Sequence, residues 1–103
     1  MARTIQVTYK YIDGAHFFVS YDKEAAGLCV ANRDLRVAFD LVGQQLHVLY
    51  KLEYGEDAHF SPAIEFDIFA ERVNAWIKDL GEPIDDLTPA AISRWTRDRR
   101  VAA

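Results

Sequence analysis

The sequence predicts an α+β fold: a three- to four-stranded antiparallel sheet packed on one long helix, with C-terminal helices. Three observations carry that expectation. Residues 5–12 alternate apolar and polar and end in Asp13-Gly14, the pattern of a half-buried strand entering a hairpin turn. Residues 34–52 change to a period near that of an α-helix. Further on, Thr88-Pro89 has the form of a helix start, with Pro at the first helical position, where its missing donor costs nothing.

In the first strand Ile5, Val7, Tyr9 and Tyr11 share one face, with Gln6, Thr8 and Lys10 on the other. Asp13-Gly14 supplies the positive φ of a type I′ turn, and His16–Tyr21 reads as the returning strand. Leu28–Ala31 is short and apolar and reads as a third strand. Asn32 or Asp34 suits the N-cap of the long helix, since either side chain accepts from orphan first-turn amides.

That helix carries two apolar stripes. Leu35, Ala38, Phe39, Val42, Leu46 and Leu49 form one; Val37, Leu41, Val48 and Leu52 form a second, displaced by roughly 130° at 100° per residue. One stripe suffices to cover a sheet. The second is covered either by Phe69, Val73, Trp76, Ile77 and Leu80 of a later helix or by another molecule, as a partner-binding or oligomer face. Gly43 in mid-helix costs about 1 kcal/mol relative to Ala, so a second backbone approaches closely there in either case.

Gly55 suits the left-handed residue that ends this helix. Ile64, Phe66 and Ile68 alternate with Glu65 and Asp67, which predicts a fourth strand. A second helix is expected from about Phe69 to Leu80, and a last one from Thr88 with Ile92 and Trp95 on one side and arginines on the other. Residues 1–80 would form one α+β domain, and 81–103 a helical extension that is not an independent domain.

At 103 residues the chain is of one-domain length, with 50% apolar and 27% charged residues, ordinary globular usage. Its net charge of −4 is unevenly spread: residues 1–93 carry 8 basic and 15 acidic side chains, and the last ten carry four arginines against Asp98. No apolar run reaches signal-peptide or membrane-span length, so the expectation is a cytoplasmic protein without membrane contact. A single cysteine, Cys29, excludes an intramolecular disulfide, and its apolar neighbours predict an inert core thiol.

Nothing in the spacing suggests catalysis, a metal site or a cofactor. His16, His47 and His59 lack metal-ligand spacing, the serines lie outside any nucleophile elbow, and the five glycines are dispersed. Function therefore points to binding. Arg94, Arg97, Arg99 and Arg100 are candidates for phosphate or acidic-partner contact, with Arg94 and Arg97 near one side of a helix. Ile92-Ser93-Arg94-Trp95 is similar to the recognition end of a helix-turn-helix, but the preceding 82–87 loop is too long and too acidic for the usual turn. Tyr9, Tyr11, Phe17 and Tyr21 are read as sheet core rather than a base-stacking platform.

The order strand, Asp-Gly hairpin, strand, short strand, helix, strand resembles the HicB-like antitoxin domain over about residues 5–72. The matching positions are Tyr9–Gly14, Phe17–Asp22, Ala26–Val30 and the Asn32–Gln45 helix start; Ile64–Ile68 with Ala70-Glu71-Arg72 looks like the end of small HicB-like proteins. The resemblance implies a degenerate RNase H-like layout without catalytic carboxylates, commonly oligomeric. It also implies a non-enzymatic protein that covers and neutralises a small basic RNA-cleaving toxin. The acidic body suits a basic partner. The alternatives are a phage-type acidic inhibitor of a defence or nucleic-acid enzyme, and a DNA-binding regulator acting through the arginine-rich end.

Overall fold

The computed structural model describes residues 4–25, 27–85 and 87–97. Its elements are β1 (Thr4–Ile12), β2 (Ala15–Val19), β3 (Cys29–Asn32), α1 (Leu35–Tyr54), β4 (Phe60–Pro62), α2 (Phe66–Leu80) and β5 (Ile92–Arg97). The strands form one antiparallel sheet in the order β3-β2-β1-β5-β4. The class is α+β, as expected, but the sheet has five strands.

The β1–β2 hairpin follows directly from the sequence. Asp13 and Gly14 have φ of 53° and 76°, and the register closes with Ile12 opposite Ala15. At the other end, where β2 stops, side chains complete the ladder of β1. The Ser20 hydroxyl donates to the Gln6 carbonyl at 2.8 Å, and the Gln6 amide donates to the Asp22 carboxylate at 2.6 Å.

Asp34 caps α1, accepting from the amides of Arg36 and Val37, and Gly55 ends it with φ 71°. Asn32, the other cap candidate, instead accepts from the amide of Asp34. Ala38, Phe39, Val42, Leu46 and Tyr50 are buried from α1, and Phe69 and Val73 from α2. Both helices pack on the sheet face that carries Ile5, Val7, Tyr9, Phe18, Val30 and Trp95. Phe39 lies against Phe18 and Trp95, and Phe69 against Tyr9 and Phe18. Gly43 does face a second backbone, which is intramolecular: a Cβ there would sit 3.4 Å from the Phe60 carbonyl of β4.

Two expected elements change identity. The strand expected over Ala63–Ile68 is replaced by β4, three residues earlier, and by the first turn of α2. Phe66, Phe69, Val73, Trp76 and Ile77 recur at helical spacing, and this outweighs the short alternation. Phe66 packs edge-on to Phe39 and Ile68 is 47% exposed. The helix expected from Thr88 is a three-residue 3-10 turn, Pro89–Ala91, followed by β5. As a helix this segment would leave the second edge of β1 unpaired beside the core, at the cost of several buried peptide groups. As a strand it pairs Thr4–Thr8 in full and seats Trp95 opposite Ile5. Ile92–Arg97 is therefore an inner strand of the sheet, between β1 and β4, and the helix-turn-helix-like stretch Ile92–Trp95 is part of it.

Candidate functional site

The two faces of the sheet differ in chemistry because β parity and helix cover divide them. Residues 35–80, the two helices with β4 and the loops between them, contain eight carboxylates and four cationic side chains, all exposed, so this stretch carries net −4. Within it Arg36 pairs with Asp40 at 3.3 Å. Asp57 receives His47 Nε2 at 3.0 Å and Lys51 Nζ at 3.1 Å. The His47 hydrogen bond, then Lys51, holds the Asp57 carboxyl below its usual range; full exposure to solvent makes this a weak pairing.

The opposite face carries neither helix. Gln6, Thr8, Lys10 and Ile12 of β1 point there, with Phe17 and Val19 of β2, Cys29 and Ala31 of β3, and Ile92 and Arg94 of β5. Lys10 stands opposite Phe17, and Gln6 opposite Arg94. Beside them a cleft of about 400 Å³ is lined by Gln6, Ala63, Ile64, Pro89, Ile92, Ser93 and Arg94. Cys29 is exposed on this face, not in the core, because its neighbour Val30 takes the inward position opposite Phe18.

The predicted arginine group is not gathered. Arg94 is exposed on the open face. Arg97 turns to the helical side, donates to the Tyr50 hydroxyl at 2.7 Å and lies 4.9 Å over its ring. Strand parity separates what a helix would have put together. Arg99 and Arg100 lie outside the described residues. The four aromatics also separate: Tyr9 is fully buried, Tyr11 packs with His16 on the helical side, Phe17 faces outward and Tyr21 is 69% exposed.

The second stripe of α1 remains surface. Val37, Val48 and Leu52 are 42%, 51% and 79% exposed, and Leu41 is half-buried. α2 meets α1 elsewhere, through Phe66 and Phe69 on Phe39, with Arg36 over the Phe66 ring at 4.7 Å. Leu80, expected to cover the stripe, is 53% exposed.

A part-buried polar pair joins β1 to β2. The Tyr9 hydroxyl lies 2.6 Å from His16 Nδ1, with the rings stacked at 5.8 Å. Burial raises the Tyr9 pKa far above the usual phenol range and lowers that of His16, partly opposed by Asp34. Both groups are neutral near pH 7. The signal for this pair was the two-residue hairpin, whose register brings positions 9 and 16 to one face. Lys10 and Gln6 were legible as outward residues of β1; linking them to Arg94 required recognising β5.

Among the described residues no group of three or more His, Cys, Asp or Glu side chains is placed to hold a metal ion, and no helix is long and apolar enough to cross a membrane. Comparison with protein-family models, curated proteins and solved structures gave no match.

Proposed function

We propose that this chain is a non-enzymatic, HicB-like interaction protein that binds and neutralises a basic nucleic-acid-handling partner, such as an RNA-cleaving toxin. The observation that carries the reading is the exposed net −4 of the helical layer. Such a surface steers a cationic protein into encounter and selects against polyanions. The strand, Asp-Gly hairpin, strand, short strand and helix order adds support from the sequence. A phage-type inhibitor of a nucleic-acid enzyme would use the same layer, and the flanking genes separate the two: a small basic toxin frame for one, a phage operon for the other. The direct test is purification with the product of a flanking basic reading frame. A complex that suppresses RNA cleavage and weakens with salt is expected; free, fully active nuclease in the presence of the chain would overturn the reading.

A second reading, nucleic-acid contact, is favoured by one observation. Lys10, Phe17, Gln6 and Arg94 share the open sheet face, combining cations for phosphate with a ring for a base. Gel shifts at low salt with single-stranded and duplex probes test it; unchanged mobility, or binding unaffected by Arg94→Ala, removes it.

A further inference from the structure

The apolar stripe left open on α1 has a symmetry of its own. Residues of two antiparallel helices lie at equal height when their numbers share a midpoint. Val37 with Leu52 and Leu41 with Val48 share one, between Gln44 and Gln45. We infer that the occupant of this stripe is a second copy of the chain, docked α1 on α1 in antiparallel fashion about a two-fold axis at Gln44/Gln45. Val37 then meets Leu52 of the second copy, Leu41 meets Val48, and each central amide, Gln44 on one flank and Gln45 on the other, meets its own equivalent across the axis. Such self-complementarity is what an isologous two-fold interface requires.

Charge fixes the direction. Asp40 and Lys51 lie on the same flank of the stripe, both exposed. An antiparallel two-fold brings like flanks together, so Asp40 faces Lys51 of the second copy, once on each side of the axis. The ion pairs within each copy, Arg36–Asp40 and Lys51–Asp57, then join into a row of alternating sign. A parallel pair would set Asp40 against the flank of Gln45 and Leu49, which holds no cation. Opposed helix dipoles favour the antiparallel choice as well. The stripe runs only about 22 Å, fifteen steps of roughly 1.5 Å, which is short for a standard interface. The dimer is therefore reversible and concentration-dependent. The dimer is argued from the stripe and its flanking charges alone, so it does not depend on the basic-partner reading, and it is measured with no partner present.

Sedimentation velocity of the full chain over a concentration series tests this, with circular dichroism confirming that each variant is folded. The expected result is a monomer–dimer equilibrium, weakened about thirtyfold or more by Val48→Glu. Asp40→Lys and Lys51→Asp each weaken it alone, and the double variant restores it. In a Cys29→Ser background, Val37→Cys mixed with Leu52→Cys forms a disulfide dimer on oxidation, and either alone does not. A monomer at all concentrations up to about 1 mM, or a dimer indifferent to Val48→Glu, overturns the proposal. Failure of the charge swap to restore, or a disulfide dimer formed by Val37→Cys alone, overturns the antiparallel register.

Discussion

The helical layer and the open sheet face are built from one sheet yet present opposite surfaces. The layer is acidic, with eight carboxylates against four cations between residues 35 and 80. The open face shows Lys10, Arg94 and a partly buried Phe17. Along the chain the imbalance resembles an acidic body with a basic tail. In space β5 divides the described arginines of that tail, with Arg94 on the open face and Arg97 on Tyr50 of the helical side. For the arginines of β5, strand pairing and not position along the chain decides which surface each one joins.

The strongest way to break this contrast is to remove what holds β5 in place. Trp95 is 2% exposed and 5.0 Å from the Phe39 ring. Trp95→Ala is expected to cost about 3–5 kcal/mol, read as the urea midpoint, and to erase any difference between the faces. A smaller effect compares the two arginines of β5. Arg97→Ala loses a hydrogen bond to Tyr50 and a cation–π contact, about 1–2 kcal/mol together. Arg94→Ala is expected within about 0.5 kcal/mol of the parent. Equal costs would mean that the parity of β5 is wrong.

The hairpin, the class and the caps of α1 were legible because each rests on local chemistry: Asp13-Gly14 for the turn, Asp34 and Gly55 for the helix ends. β5 was not legible, since Thr88-Pro89 starts a 3-10 turn as readily as a helix, and only the empty edge of β1 selects a strand. Tertiary pairing also decided Cys29, whose apolar neighbours suggested burial while register turned it outward. The open stripe Val37, Leu41, Val48 and Leu52 was visible in the period alone. Whether α2 covered it depended on where Phe66 and Phe69 found rings to pack on.

Acidification sharpens the contrast from inside the hairpin. Burial lowers the His16 pKa below its ordinary 6.5, so below that value the unfolded chain binds more protons than the folded one. Stability from this group is complete above about pH 6.5 and is lost as pH falls through the folded-state value. The urea midpoint is expected to drop over that window, and His16→Gln to flatten the slope. A slope unchanged by the substitution would place the titration elsewhere. On α2, Glu71→Lys should move the urea midpoint by no more than about 0.5 kcal/mol equivalent, since Glu71 is exposed. Asp67→Lys should cost about 0.5–1 kcal/mol, because Asp67 sits in the first turn, where the helix dipole favours an acid.

Those same α2 substitutions test most directly whether a basic partner docks on the acidic helical layer. With a small basic ribonuclease encoded beside the gene, the association rate and the suppression of RNA cleavage are measured for the parent, for Asp67→Lys/Glu71→Lys and for Lys10→Glu/Arg94→Glu. The α2 variant is expected to associate more slowly and to suppress RNA cleavage poorly, with the open-face variant matching the parent. Loss of binding in the open-face variant alone, with α2 reversal silent, would contradict it.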